Sequence, residues 1–214
     1  MSVKAVIFDL DGVIVSTDEC HYQAWKRMAD EEGIPFDRTI NQRLRGVSRL
    51  ESLNIVLEKA TDSYTDTEKA ALAERKNNYY RGLLAKLTRS DILPGVMGVL
   101  EGLKNRKIRI AIGSSSKNAP YILEKVGLST YFDAVADGNG ITKSKPDPEV
   151  FTLAAKLLGL PPSDCAVVED AYAGIEAAIA GGMRAVGVGY AQKSPLADYA
   201  APDLAHVSVD ELLK

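Results

Sequence analysis

Five short apolar runs, at residues 4–8, 108–112, 134–136, 166–168 and 185–188, constrain this chain more than any other feature. Each is too short for a helix and apolar at consecutive positions, the pattern of a strand buried on both faces of a parallel sheet. Parallel neighbours need a crossover of a dozen or more residues. Amphipathic stretches at 95–104, 119–126, 149–158 and 171–180 supply it. The alternation predicts a doubly wound, Rossmann-like α/β fold. Gly127, Gly159 and the pair Gly181 and Gly182 stand where three of these helices must stop.

One segment breaks the alternation. From about residue 18 to residue 87 there is helical periodicity and no convincing strand, which predicts an inserted four-helix-bundle cap over residues 17–87. The core domain is then residues 1–16 and 88–214. Ser16 and Glu19 have capping-box spacing before a helix with Tyr22, Trp25, Met28 and Ala29 on one face and Gly33 at its end. Thr65 and Glu68 repeat that spacing before a longer helix carrying Leu72, Tyr79 and Leu83. The linkers at 15–17 and 87–92 are candidate hinges. After a surface loop over 189–202, a short closing strand is expected near Leu204 and a helix near Val209.

Chemistry in such a sheet sits beyond the carboxyl ends of the strands. The motif Asp9-Leu10-Asp11-Gly12 follows the first run, Ser114 the second, and Glu169-Asp170 the fourth. Asp9 is a candidate nucleophile, Asp11 an acid/base for the alcohol proton, and Glu169 with Asp170 a hard-oxygen site suited to magnesium. Ser114 and Lys145 are a candidate clamp for phosphoryl oxygens. Taken singly, Ser114 reads as a helix cap and Lys145 as a solvated loop lysine, and the companion acids reverse that; Asp170 can be both an N-cap and a metal ligand.

The formal charge of −3 on 214 residues gives no general attraction to nucleic acid or to an anionic membrane. A small anionic substrate fits better, gripped by a few local cations. Cys20 and Cys165 read as free thiols of a reducing compartment. No segment approaches about 20 consecutive apolar residues. A soluble, cytoplasmic chain is expected, and a monomer, since one chain carries the whole set.

These motifs, in this order, resemble the haloacid dehalogenase superfamily, whose phosphotransferases share a D-x-D motif, a Ser or Thr, a Lys and a pair of acids. A narrower set resembles the members of that superfamily that isomerise hexose phosphates: His21 with Trp25, then Arg45-Gly46-Val47-Ser48-Arg49 with Ser52, Arg75-Lys76-Asn77, and Ser114-Ser115-Ser116-Lys117-Asn118-Ala119-Pro120. The resemblance implies that Asp9 is phosphorylated and Asp11 is the general acid/base. It implies one Mg2+ held by Asp9, the Asp11 backbone carbonyl, Glu169 and Asp170, with Ser114 and Lys145 on the transferring phosphoryl group. Arg49, Ser116, Lys117 and Asn118, with Ser115 beside them, are implied at a second phosphate, and His21, Trp25, Gly46, Val47, Ser52 and Lys76 on the cap side.

The implied activity converts β-glucose 1-phosphate to glucose 6-phosphate through an aspartyl phosphate, with glucose 1,6-bisphosphate as priming intermediate. The rivals are a sugar-phosphate phosphatase on the same fold and a regulator that binds sugar phosphate without turnover. Two positions depart from the pattern: Ser16 stands where Asp is usual, and Arg45 where Lys is usual.

Overall fold

The structure, a computed structural model, describes residues 3–214. Six parallel strands form one sheet in the order β3-β2-β1-β4-β5-β6, with β1 at Ala5–Phe8, β2 at Arg109–Gly113, β3 at Ala134–Ala136, β4 at Cys165–Glu169, β5 at Arg184–Gly187 and β6 at Tyr199–Ala200. The strands are apolar at consecutive positions because both sheet faces are covered. Val6, Phe8, Ile110, Ile112, Ala166 and Val168 pack on one face under α5 (Val96–Asn105) and α6 (Ala119–Lys125). Ala5, Ile7, Ala111, Cys165 and Val167 pack on the other under α7 (Glu149–Leu157) and α8 (Tyr172–Ala180). Cys20 and Cys165 are free thiols.

Between β1 and α5 stand four helices, α1 (Asp18–Glu31), α2 (Arg38–Gln42), α3 (Arg49–Leu57) and α4 (Asp66–Leu84). They form a cap with its own apolar cluster, built around Trp25, Met28, Leu53, Val56 and Leu72. Tyr80 and Leu84 of α4 belong instead to the main core cluster and pack cap against sheet. The two connections run side by side: Val15 bridges Ile92, and the Leu93 N–H donates to the Ile14 carbonyl at 2.9 Å.

The expected capping box at Thr65 and Glu68 is present, with each side chain satisfying the other's backbone. The box expected at Ser16 and Glu19 is not. Thr17 is the N-cap of α1 and makes no side-chain cap bond, because its hydroxyl is committed to Asp11. The strand expected near Leu204 is also corrected. Leu204–His206 is a 3-10 turn, capped by the Asp203 carboxylate accepting the His206 N–H, and the edge strand lies earlier, at Tyr199–Ala200. Pro202 has no N–H to continue that ladder. A helix at Val209–Leu212 closes the chain. Among the described residues, no helix is long and apolar enough to cross a membrane.

Gly113 ends β2 against the opposite layer: a Cβ there would lie 2.6 Å from the Phe151 ring and 3.0 Å from the Ile7 side chain. Gly113→Val is therefore expected to destabilise the fold by about 1–3 kcal/mol through overpacking. Denaturant unfolding checks this, and an unchanged midpoint would contradict the packing described.

Candidate active site

β1 lies between β2 and β4, in register with both, so Asp9, Ser114 and Glu169 leave three adjacent strands at one rim. Lys145 reaches the same point from the loop before α7. Its Nζ donates to Asp9 Oδ1 and to Glu169 Oε1, both at 2.6 Å, and it is only 2% exposed. Burial pulls the ammonium's pKa down, but the two carboxylates more than reverse that, so it is held above its ordinary value and stays charged. The loop is shaped by Glu149, whose carboxylate accepts from the Thr142 and Lys143 backbone N–H groups.

Asp9, Glu169 and Asp170 bring ligand oxygens within 4.8 Å of one another, all buried. Two glycines make room for them. Gly12 has φ +88° and a Cβ there would run into the Asp170 carboxylate; at Gly174 it would run into that of Glu169. The Glu169 Oε2 accepts the Ala171 N–H at 2.7 Å. Burial, against the opposing pull of Lys145, raises Glu169 to about 6. Burial, then the neighbouring Glu169, Asp9 and Asp11 carboxylates, raises Asp170 to about 9. The raised values mean that the cluster resists full ionisation on its own, and hard oxygen donors so arranged can coordinate a divalent cation in place of those protons.

Asp11 stands apart from those three carboxylates; the expectation placed only its backbone carbonyl on the metal. Thr17 holds its side chain, donating from N to Oδ1 at 2.8 Å and from the hydroxyl to Oδ2 at 2.5 Å. The Thr17 hydroxyl, having spent its one proton, accepts from Tyr80 at 2.8 Å. Burial raises the Asp11 pKa against these donors. Toward the cap, His21 Nε2 lies 3.4 Å from Asp11 Oδ2, and Lys76 Nζ lies 2.9 Å from His21 Nδ1. When protonated, Lys76 can only donate; Nδ1 then accepts and the ring's N–H faces Asp11. Burial, then Lys76 and Arg49, keep His21 well below the ordinary histidine value. Lys76 sits over the Trp25 and Tyr80 rings, and burial with Arg49 nearby lowers it to about 7.

One cavity of about 770 Å³ unites the set. Asp9, Asp11, Ser114, Lys145, Glu169 and Asp170 line its core side, with Ser115, Ser116, Lys117 and Asn118 at one end. His21, Trp25, Gly46, Val47, Arg49, Ser52 and Lys76 line it from the cap. Every site residue expected from the sequence is thus at the cavity. The Ser114–Asn118 run is held internally, the Ser116 N–H donating to Ser114 Oγ and the Asn118 N–H to Ser116 Oγ, both at 3.2 Å. Ser115 Oγ is buried with no hydrogen-bond partner among the described residues. Such a group suits a ligand oxygen.

Thr17 was not expected as part of this site, and Asn77 was marked only as part of a motif, without a role of its own. Thr17 gave no spacing signal because its partner is Asp11, six residues earlier, across a turn. Arg45, part of the cap motif but given no role, reaches from the cap to Asp170 Oδ2 at 3.3 Å and also pairs with Asp18.

The family model for haloacid dehalogenase-like hydrolases matches residues 3–182. The chain belongs to that family. Among haloacid dehalogenase-like relatives, a β-phosphoglucomutase of Bacillus subtilis is 50% identical over 192 residues, covering 89% of this chain and 85% of its own. A phosphorylated carbohydrates phosphatase of Thermotoga maritima is 32% identical, covering 99% and 97%. The crystal structure of a β-phosphoglucomutase from Clostridium difficile superposes with a TM-score of 0.92 at 40% identity, covering 97% of this chain and 94% of that one.

Glu169 and Asp170 are both held above their ordinary values of 4.5 and 3.8, so the folded state keeps protons that the unfolded chain has released. Their contribution to stability is full below about pH 4 and is lost as the pH rises through about 6 and then about 9. The unfolding midpoint of metal-free protein is expected to fall between about pH 6 and pH 9, and a saturating divalent cation to lift it most at the upper end. A cation effect of equal size at both ends would contradict this, as would none.

Proposed function

We propose that the chain interconverts β-D-glucose 1-phosphate and D-glucose 6-phosphate, the β-phosphoglucomutase reaction, passing through a phosphorylated Asp9 and β-glucose 1,6-bisphosphate. The observation that carries this reading is the Asp11–His21–Lys76 chain, which ties the acid/base on the sheet to an amine on the cap. A mutase must give its phosphoryl group to a sugar while denying it to water. Linking the acid/base to cap residues that meet the sugar makes proton transfer depend on sugar binding. The 50% identity with the Bacillus enzyme supports the same reading.

In the first half-reaction, the sugar's 6-hydroxyl gives its proton to Asp11 as its oxygen attacks the phosphorus on Asp9, and the Asp9–phosphorus bond breaks. The bisphosphate turns around. Asp9 then attacks the phosphorus at C1, and Asp11 returns the proton to the departing C1 oxygen, releasing glucose 6-phosphate. Lys145, Ser114 and neighbouring backbone N–H groups hold the transferring oxygens. Arg49, Ser116, Lys117 and Asn118 hold the second phosphate, where the planar guanidinium of Arg49 suits two oxygens.

Asp9, Glu169, Asp170 and the Asp11 carbonyl are the residues that would hold magnesium. Magnesium, when bound, screens the repulsion between a carboxylate nucleophile and a phosphate. We read residues 17–87 as moving against residues 1–16 and 88–214 about the paired connections, and the protein as a cytoplasmic monomer, since one chain supplies every cavity residue.

The rival on the same fold is a sugar-phosphate phosphatase, and the Thermotoga relative favours it. A coupled assay with magnesium and a trace of bisphosphate primer separates the two. Turnover of β- but not α-glucose 1-phosphate to glucose 6-phosphate is expected; faster release of inorganic phosphate would make the chain a phosphatase. Asp9→Asn is expected to lose turnover by at least about a thousandfold while still binding glucose 6-phosphate. Turnover surviving in that variant would overturn the role of Asp9.

A further inference from the structure

Asn118 is a buried core residue whose side-chain amide meets the cap. Arg81 Nη1 lies 3.4 Å from its Oδ1, and its Nδ2 donates to Asn77 Oδ1 at 3.0 Å. Both partners belong to α4. The Arg81 guanidinium also lies over the Tyr121 ring, 4.6 Å from its centre, which keeps it in place beside α6. Asn77 and Asn118 are both buried and line the end of the cavity near Ser116 and Lys117.

The chemistry of these groups sets the amide's direction. A guanidinium has five N–H donors and no acceptor, so only the carbonyl oxygen of Asn118 can face it. The NH2 group must then point to Asn77, which in turn must offer its own oxygen. Asn77 takes one of the two Nδ2 hydrogens, and among the described residues no other acceptor meets Nδ2.

We infer that Arg81 and Asn77 are positioning residues that lock the Asn118 amide so that it offers an anionic substrate group N–H and never its carbonyl oxygen. This rests on the reading of Asn118 as a contact of the non-transferring phosphate. A free amide would turn its oxygen toward the phosphate in one of its two flipped states, where the two repel. The orienting pair is on the cap and the oriented residue on the core. The donor is therefore set only when α4 lies where it lies here, so the grip on the second phosphate depends on the cap's position.

The test uses full-length protein with magnesium. Asn77→Leu removes the acceptor without changing charge, and Arg81→Met removes the cation at an exposed position. Each is expected to raise KM for β-glucose 1-phosphate about tenfold or more and to leave kcat within about twofold. Neither should slow phosphorylation of Asp9 by acetyl phosphate, which has no second phosphate. Arg81→Lys, still a donor without an acceptor, should restore the KM.

An unchanged KM in both Asn77→Leu and Arg81→Met would overturn the inference, as would an equal loss with acetyl phosphate. A rise in Arg81→Met with Asn77→Leu silent would also overturn it, assigning Arg81 to simple charge attraction. Calorimetric titration with glucose 6-phosphate separates this from the proposed reaction. If the wild-type protein binds that ester without turning over hexose phosphate, the reaction is wrong, and binding about tenfold weaker in both variants still upholds the locked amide. No binding by the wild-type protein would sink both.

Discussion

The ammonium of Lys145, buried between Asp9 and Glu169, is the contact on which the rest of the site depends. Two carboxylates driven out of water onto neighbouring strands repel each other and are costly to keep charged. One cation shared between them, at 2.6 Å from each, offsets much of that cost and fixes both side chains toward the same point. Removing it would leave uncompensated buried charge, which commonly costs about 3–5 kcal/mol. The arrangement works because β1 and β4 are adjacent and in register, and because the loop before α7 is pinned by Glu149. Asp170, pushed up to about 9 by burial and its neighbouring carboxylates, holds a proton that a divalent cation can displace, and that makes the rim receptive to one.

Above this fixed floor, the cap brings a different electrostatic character. Lys76 and His21 are poor cations in their surroundings, since burial and the nearby Arg49, with Lys76 adding to it at His21, weaken their hold on protons. An anionic ligand reaching them would strengthen that hold, so ligand binding and cap position are tied by charge as well as shape. Tyr80 sits at the junction, with its hydroxyl on Thr17, its ring 4.1 Å from that of His21, and Lys76 above its face. One side chain of α4 thereby touches the residues that hold Asp11 from both sides.

The sheet and the core-side chemistry were legible in the sequence because both follow local rules. A strand buried on two faces must be apolar at consecutive positions, and residues at its end must meet their neighbours at the same rim. Thr65 with Glu68 was legible for the same reason, being a contact three residues apart. Ser16 with Glu19 shows the limit: the spacing was right, but the adjacent Thr17 became the N-cap and gave its hydroxyl to Asp11, a tertiary partner that outcompeted the local one. On α4 the periodicity pointed to Tyr79 and Leu83, which are only half-buried, whereas Lys76 and Asn77 are buried because that face looks onto the cavity. No hydropathy pattern marks a helix face that is buried for its polar groups. The cap motifs became readable only through the family resemblance, since an isolated His21, Arg49 or Lys76 would otherwise read as a solvated side chain.

The account stands on Asp9 as the atom that takes phosphorus. Brief exposure of the protein with magnesium to radiolabelled β-glucose 1,6-bisphosphate, followed by an acid quench and peptide mapping, tests this directly. The label is expected on the peptide holding Asp9 alone, and to be released by hydroxylamine as an acyl phosphate. Label on Ser114 or elsewhere, or a protein that exchanges phosphate between the sugars without ever carrying it, would contradict the central claim.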